Sequence, residues 1–245
     1  MVLRKARGFK QMYQSDCFQT LPPRTLYFIF VIDASGSMQG ECIDTINETL
    51  EHIVNDLREI QKPKYVEIRV AIMKFGSTAV WLTDGAERVD EIVLNPIEAF
   101  GVTATGDALK KLEKAMSRRV LFKHSPYRLF ILFVTDGNPT DNWEEPLEKL
   151  QQNPWYKNSI KIGITYGKII EKEVLQEIVG DTNLIIETQN VSDLSRTLYS
   201  LPMKYLISST IPDDAPATEE KCAVPTPSSV KHLQEDLDLD YWGEW

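Results

Sequence analysis

Cysteine and histidine are scarce in this 245-residue sequence, and neither residue type forms a recognisable motif. The three cysteines, Cys17, Cys42 and Cys222, are far apart and lack the paired spacing of a zinc site or of a disulfide framework. Proteins without disulfides are typical of reducing compartments, so the cysteine pattern predicts a cytoplasmic location.

Long apolar runs and an excess of basic residues are also missing. No stretch of about 18 apolar residues is present, which predicts that no helix spans a membrane. The basic N-terminus lacks the apolar segment of a secretory signal. The 27 Lys and Arg residues are outnumbered by 36 Asp and Glu residues, and the net charge is −9. Binding to nucleic acid through phosphate neutralisation is therefore not expected.

Apolar runs of strand length alternate with amphipathic segments along the middle of the chain. Residues 26–32 form a continuous apolar run, which predicts a strand buried on both faces, and residues 128–137 repeat the pattern. Residues 41–60 carry apolar side chains at three- and four-residue intervals, which predicts a long amphipathic helix. The remaining predicted strands are 65–75, 78–82, 159–165 and 183–187, and the remaining helices are 104–116, 144–151, 172–179 and one from Val191 onward.

This alternation predicts a doubly wound α/β fold with a mostly parallel central sheet and helices on both faces. The segment 78–82, which follows a tight turn at Gly76, predicts one short antiparallel edge strand. In such folds ligands bind at the carboxyl ends of the strands, beside the point where the strand order reverses.

Oxygen-bearing side chains collect at that edge of the predicted sheet. Asp33 ends the first strand and Asp136 ends the strand at 128–137, so two strands each bring a carboxylate to the same edge. The polar residues expected there are Asp33, Ser35, Ser37, Thr103, Thr105, Asp136 and Asp141. An all-oxygen set suits a hard cation such as Mg²⁺, with Mn²⁺ or Ca²⁺ as alternatives, and does not suit zinc.

Three segments carry a resemblance to a known family. DASGSM at 33–38, TATGDAL at 103–109 and FVTDGNPTD at 133–141 look, in order and separation, like the metal-ion-dependent adhesion site (MIDAS) of von Willebrand factor A (VWA) domains. The resemblance implies a bound Mg²⁺ or Mn²⁺ whose coordination is completed by a Glu or Asp of a partner protein. The metal ligands that it implies are Asp33, Ser35, Ser37, Thr103 and Asp136.

The resemblance also implies a division of the chain. It covers about residues 25–208, which are expected to form a Rossmann-like VWA domain after an N-terminal extension at 1–24. Residues 209–245 are rich in Pro and acidic residues and are expected to form a disordered tail. The last part of this tail, EDLDLDYWGEW at 235–245, is interpreted either as a solvated end or as a docking motif with aromatic anchors.

Two positions within the matching segments are open. Thr103 has the expected spacing to Gly106, but Thr105 is an alternative ligand, and Val102 stands where relatives often have a glycine. Asp141 either supports the ligands from behind or belongs to a turn that starts a helix.

The segment TDGNPTDNW at 135–143 looks more specifically like bacterial VWA proteins linked to tellurium resistance and stress operons. That narrower resemblance implies a cytoplasmic protein that acts together with a protein kinase or phosphatase.

Two classes of function are compatible with these residues. The main expectation is a protein-interaction module without enzymatic activity, because no general base accompanies the predicted cation site. The alternative is a Mg²⁺-dependent phosphohydrolase of the haloacid-dehalogenase type with Asp33 as the nucleophile. Ser35, however, stands where that chemistry needs a second acid. A serine hydrolase using Ser35 or Ser37 would lack a positioned base.

Overall fold

The computed structural model describes residues 24–61, 66–117, 121–122, 128–167, 172–180 and 184–210. The expected N-terminal extension at 1–24 lies outside these described residues except for Arg24, which begins β1. The expected tail at 209–245 lies outside them except for residues 209–210, which end α6. The strands are β1 Arg24–Asp33, β2 Val66–Phe75, β3 Ala79–Trp81, β4 Glu87–Arg88, β5 Arg128–Thr135, β6 Ile160–Tyr166 and β7 Ile185–Thr188. The helices are α1 Glu41–Gln61, α2 Thr105–Ser117, α3 Glu144–Gln152, α4 Pro154–Lys157, α5 Lys172–Val179 and α6 Val191–Thr210.

These strands form one sheet in the order β3-β2-β1-β5-β6-β7, with β4 also paired to β2. Strand β1 is parallel to both β2 and β5, and β5, β6 and β7 continue the parallel arrangement. The prediction of a mostly parallel, doubly wound sheet with a short antiparallel edge strand is confirmed, with β3 as that strand. Strand β4 adds a second antiparallel pairing with β2. This strand was not predicted, because two residues are too few to show a strand pattern in the sequence.

Successive residues of β1 point into two separate hydrophobic cores. Phe28 and Phe30 pack on one face of the sheet with apolar side chains of α1 and α6. Tyr27 and Ile29 pack on the other face with side chains of α2, α3 and α5. All four side chains are completely buried. The central position of β1 explains why its sequence is continuously apolar instead of alternating.

The order of the strands determines where a ligand can bind. The chain leaves β1 toward β2 on one side, and it later returns to β5 on the other side of β1. The strand order therefore reverses at β1, and in sheets of this type ligands bind beside the carboxyl ends of the strands at such a point.

The helices agree closely with the predicted segments, and α5 coincides with its prediction at 172–179. The short helix α4 was not predicted. Its start has a recognisable signal, since Asn153 accepts a hydrogen bond from the backbone N–H of Trp155 (2.9 Å) and Pro154 occupies the first helical position. Among the described helices, none has both the length and the apolar character needed to cross a bilayer.

Candidate metal centre

Strand β1 delivers the first candidate segment to the carboxyl edge of the sheet. Asp33 is its last residue, and the backbone N–H of the next residue, Ala34, still donates to the carbonyl of Phe75 in β2 (2.6 Å). Ser35 is extended (φ −68°, ψ 167°), and a single 3₁₀ turn follows at Gly36–Met38. This sharp turn directs Ser35 and Ser37 back toward Asp33 instead of continuing the strand.

Four of the five predicted ligands are connected by hydrogen bonds. The hydroxyl of Ser37 donates to Oδ1 of Asp136 over 2.8 Å. The hydroxyl oxygens of Ser35 and Ser37 are 3.0 Å apart. The backbone N–H of Ser35 donates to Oδ1 of Asp33 over 2.8 Å. The structure therefore brings together oxygens from two segments that are about one hundred residues apart in the sequence.

Thr103 adds a third segment to this cluster. A Cβ atom built on Gly137 would lie 3.2 Å from the hydroxyl oxygen of Thr103, so this hydroxyl faces the backbone directly after Asp136. Thr105 is the first residue of α2, and its buried side chain lines a small, mainly apolar cavity beside Leu175 of α5. The geometry favours Thr103 over Thr105 as the hydroxyl of the candidate centre.

Asp33 is the most strongly buried group of the cluster, with no exposed surface. Its second oxygen, Oδ2, accepts a hydrogen bond from the hydroxyl of Thr135 (2.6 Å). Burial raises the pKa of Asp33 to about 6, against the lowering effect of the hydrogen bonds from Thr135 and Ser35. Thr135, which directly precedes Asp136, was not among the predicted site residues, and the structure shows it hydrogen-bonded to a proposed ligand.

Burial also raises the pKa of Asp136, against the lowering effect of its hydrogen bond from Ser37. The negative charge of Asp136 in turn contributes to the raised pKa of Asp33. Two partly desolvated carboxylates that repel each other are stabilised in their ionised form by a nearby cation. The donor set, with two carboxylates and three hydroxyls, therefore fits a divalent ion.

Within the described residues, no group of three or more His, Cys, Asp or Glu side chains is arranged to hold a metal. The candidate centre has only two carboxylates and depends on hydroxyl oxygens for its other donors. Such a set is recognised from the geometry of the three segments and not from a cluster of acidic residues.

Cys42 lies close to these carboxylates, at the start of α1. A cysteine in the first turn of a helix often has a lowered thiol pKa. Burial, followed by the charges of Asp136 and Asp33, instead raises the pKa of the Cys42 thiol to about 12. Its sulfur contacts that of Met38 at 3.8 Å. Cys42 is thus a buried, packed thiol.

Residues 140–141 fasten the segment that carries Thr103. Both the backbone N–H and the hydroxyl of Thr140 donate to the carbonyl of Thr103, over 2.9 and 3.1 Å. The two oxygens of Asp141 accept hydrogen bonds from the backbone N–H groups of Gly106 (2.8 Å) and Asp107 (2.9 Å). Asp141 therefore caps α2, where a carboxylate is favoured by the helix dipole.

These contacts place Asp141 at the start of α2, just after the segment of Thr103, and its role as a support of the candidate centre stays a prediction. Gly106 allows this contact, because a Cβ atom at that position would come within 1.9 Å of the carbonyl oxygen of Asn142. The helix that follows begins only at Glu144, so Asp141 is not its first residue.

A further loop borders the centre on the side of β2. The backbone N–H of Phe100 donates to the carbonyl of Ala34 (2.7 Å), and the N–H of Gly36 donates to the carbonyl of Gly101 (2.9 Å). Gly101 has a φ of +86°, which favours glycine. The side chains of Phe100 and Val102 are 79% and 53% exposed. The loop is thus held firmly by its backbone while it presents apolar side chains to solvent.

Solved structures of other proteins share this fold. The ArnB paralog VWA2 from Sulfolobus acidocaldarius has a TM-score of 0.53 at 20% identity, over 71% of this chain and 44% of that protein. The pilus adhesin SpaC from Lactobacillus rhamnosus GG has a TM-score of 0.60 at 12% identity, over 78% and 31%. Proximal thread matrix protein 1 (PTMP1) of the mussel byssus, solved with a zinc-occupied MIDAS motif, has a TM-score of 0.51 at 20% identity, over 72% and 44%.

Sequence relatives match the same region. The inter-alpha-trypsin inhibitor heavy chain H4 of Sus scrofa is 30% identical over 151 residues, which are 59% of this chain and 15% of the relative. The human collagen alpha-5(VI) chain is 25% identical over 170 residues, 67% of this chain and 6% of the relative. The chain thus corresponds to a small part of these long relatives. Because the model of the von Willebrand factor type A domain matches residues 28–200, nearly the whole described sheet with its helices, the chain belongs to the VWA family.

Proposed function

We propose that this chain is an interaction module that binds one divalent cation and, through it, a carboxylate of a partner protein. VWA domains act as metal-dependent protein-interaction modules. The proposed ligands are Asp33, Ser35, Ser37, Thr103 and Asp136. The observation that carries the proposal is the hydrogen-bonded cluster of two carboxylates and neutral hydroxyls at the carboxyl ends of β1 and β5.

The charges of the cluster determine what the cation can do. Asp33 and Asp136 together balance the charge of a divalent ion, whereas the hydroxyls add oxygen donors without adding charge. Such an ion stays electrophilic enough to accept a further anionic ligand. A Glu or Asp side chain of a partner is that ligand in our proposal, and it would connect two proteins through the ion.

Mg²⁺ is the proposed resident ion, with Mn²⁺ and Ca²⁺ as substitutes, because hard oxygen donors favour hard cations. The zinc in the MIDAS motif of PTMP1 shows that a motif of this type accommodates zinc in that protein. Calorimetric titration of the chain with each ion, alone and in competition, ranks them directly. If Zn²⁺ occupied the site in preference to Mg²⁺ with both ions at their cellular concentrations, the assignment of Mg²⁺ would be contradicted.

The central test combines metal removal with a matched pair of variants. Asp33→Ala is expected to abolish Mg²⁺ binding and the capture of partners from a lysate, as EDTA should do for the natural chain. Asp44→Ala changes an exposed carboxylate in the first turn of α1 and should leave both properties intact. A specific partner that stays bound both in EDTA and to Asp33→Ala would show that the proposal is wrong.

The phosphohydrolase alternative receives little support from the position of Asp33. The phosphorus atom of a substrate must approach a nucleophilic carboxylate directly, whereas Asp33 is completely buried and Ser35 stands where a second acid is needed. Mg²⁺-dependent turnover of a generic phosphatase substrate that disappears in Asp33→Asn would restore this alternative.

The proposed setting is a bacterial, cytoplasmic stress system of the tellurium-resistance type, with a protein kinase or phosphatase as partner. Its support is the segment TDGNPTDNW at 135–143, in which Thr140 and Asp141 hold the segment of Thr103 in place. Identification by mass spectrometry of proteins captured with Mg²⁺ but not with EDTA tests this setting. A capture that contains neither a kinase nor a phosphatase would contradict it.

A further inference from the structure

Exposed apolar side chains lie directly beside the candidate metal centre. Phe100 and Val102 flank Gly101, and we call these three residues the apolar rim. Hydrogen bonds to Ala34 and Gly36 hold the rim against the loop that carries Ser35. Exposed aromatic residues beside a polar site are typical anchors of a binding surface. A ligand that fits this surface carries a carboxylate for the ion and large apolar groups for the rim.

One segment of this chain has that chemistry. Residues 235–245, EDLDLDYWGEW, contain five acidic residues interspersed with two Leu, one Tyr and two Trp; we call them the acidic-aromatic segment. We infer that this segment is an internal ligand of the metal centre, in which a carboxylate completes the coordination while aromatic or Leu side chains contact the apolar rim. The inference rests on the proposed function, because it requires a bound cation.

The chain is long enough for this contact within one molecule. Tyr205, near the end of α6, packs on Phe28 and Phe130, with ring centroids 5.6 and 5.0 Å apart. These two residues belong to the first halves of β1 and β5, so α6 ends at the sheet edge opposite the metal centre. A helix of 20 residues is about 30 Å long. The 24 residues between Thr210 and Glu235 can span up to about 80 Å, which exceeds this distance.

The charges make the contact dependent on the metal. Without a cation, Asp33 and Asp136 repel an acidic segment, whereas a divalent ion turns the same site into an anion acceptor. A tethered ligand has an effective concentration on the order of millimolar. The segment therefore occupies the centre until a partner with a better carboxylate ligand displaces it. A partner must outcompete the tethered segment, and this requirement sets the minimum affinity, or threshold, at which a partner binds.

Paramagnetic Mn²⁺ provides a direct test on the full chain. Mn²⁺ broadens the NMR signals of nearby nuclei and diamagnetic Mg²⁺ does not, so the indole N–H signals of the five Trp residues report which of them are close to the ion. The signals of Trp242 and Trp245, assigned with Trp→Phe variants, are expected to disappear in Mn²⁺. Trp155 is the internal control, because it packs through Phe122 near Tyr27 at the start of β1, far from the centre.

Matched variants separate the segment from the metal site. Replacing all five acidic residues of the segment by their amides should leave Mn²⁺ binding in place but keep the signals of Trp242 and Trp245 sharp. Phe100→Ala should weaken the broadening, whereas Ile207→Ala, which removes an exposed side chain at the far end of α6, should not.

A competition experiment measures the threshold. A fluorescent peptide with the sequence of residues 235–245 is expected to bind the all-amide variant at least tenfold more tightly than the natural chain, in Mg²⁺ only. Equal affinity for the two chains would overturn the inference.

The outcomes distinguish this inference from the proposed function. If Mn²⁺ binds and the signals of Trp242 and Trp245 stay sharp, the internal ligand is wrong and the metal centre stands. If Mn²⁺ does not bind to the chain, the proposed function itself fails. If the broadening disappears on dilution, the ligand comes from a second copy, and the intramolecular contact is overturned.

Discussion

The connections that follow β1 and β5 look alike in sequence, but they are built differently. Each strand ends with a buried apolar run followed by an Asp and small polar residues. Asp33 is completely buried, with one oxygen bound to its own loop and the other to Thr135. Asp136 is half-buried and accepts its side-chain hydrogen bond from Ser37 of the other connection.

The supports of the two connections differ as well. The first consists of a tight turn at Gly36–Met38 and backbone bonds to neighbouring segments. The second is tied through Thr140 and Asp141 to the start of α2. The difference teaches that Asp33 is a buried anchor within the sheet edge, whereas the loop that carries Asp136 is fastened to the start of α2. Substitutions can test this distinction.

The largest effect is expected from neutralising the anchor. Asp33→Asn should lower Mg²⁺ affinity by more than about 100-fold, because it removes the most buried charge of the ligand set. This loss of affinity is larger than the loss expected when a residue that only supports the ligands is replaced. Asp136→Asn should have a smaller effect, because its half-buried site is open to water. Calorimetric titration measures both affinities. An equal or larger loss for Asp136→Asn would contradict the assigned roles.

Thr103→Val tests the segment between the two connections. The substitution keeps the shape of the side chain and removes the hydroxyl beside Gly137, so Mg²⁺ affinity should fall by roughly tenfold while thermal stability in EDTA changes little. Thr105→Val is the matched control, since Thr105 lines a mainly apolar cavity. A loss of affinity only in Thr105→Val would exchange the roles of the two threonines.

Asp141→Ala tests the dependence of the second connection on α2. Loss of the cap should cost about 1 kcal/mol of folding free energy, measured by denaturant unfolding in EDTA. Mg²⁺ affinity should also fall, by several-fold, because Thr103 loses its support. Asp141→Asn keeps one accepting oxygen but places its NH2 group against the other backbone N–H, so it should recover only part of both losses. Full Mg²⁺ affinity in Asp141→Ala would show that the second connection holds its position alone.

The smallest effect is expected from Thr135→Val, which removes the hydrogen bond to Oδ2 of Asp33. That bond lowers the pKa of Asp33, so its loss should raise this pKa further above its ordinary value. Mg²⁺ affinity should fall a few-fold near pH 6, where the ion must displace a proton, and hardly at pH 8. Titrations at both pH values measure this difference, and a loss of the same size at both would contradict the explanation.

Much of the fold was predictable because its signals are local. The continuous apolar run of β1 and the three- and four-residue spacing in α1 each depend on residues close together in the chain. Their alternation was sufficient for the doubly wound sheet and for the short edge strand β3. The two residues of β4 carry no such signal, and they pair with β2 only because the loop after β3 returns along that strand.

The candidate centre was only partly predictable for the same reason. The three segments with Asp33, Thr103 and Asp136 were recognisable from their spacing, and their roles as metal ligands remain predictions. The contribution of Thr135 and the environment of Cys42 had no local signal, since each depends on groups from other strands.

The sequence by itself determined most of the elements, their order and the oxygen-rich character of one sheet edge, because periodicity and residue type are properties of neighbouring positions in the chain. Only the tertiary structure decided that the hydroxyl of Thr103 lies beside Gly137, that Asp141 caps α2, and that Phe100 stands exposed beside the centre. Hydrogen bonds, burial and charge act between residues that folding brings together, and their distances are not encoded in any single segment.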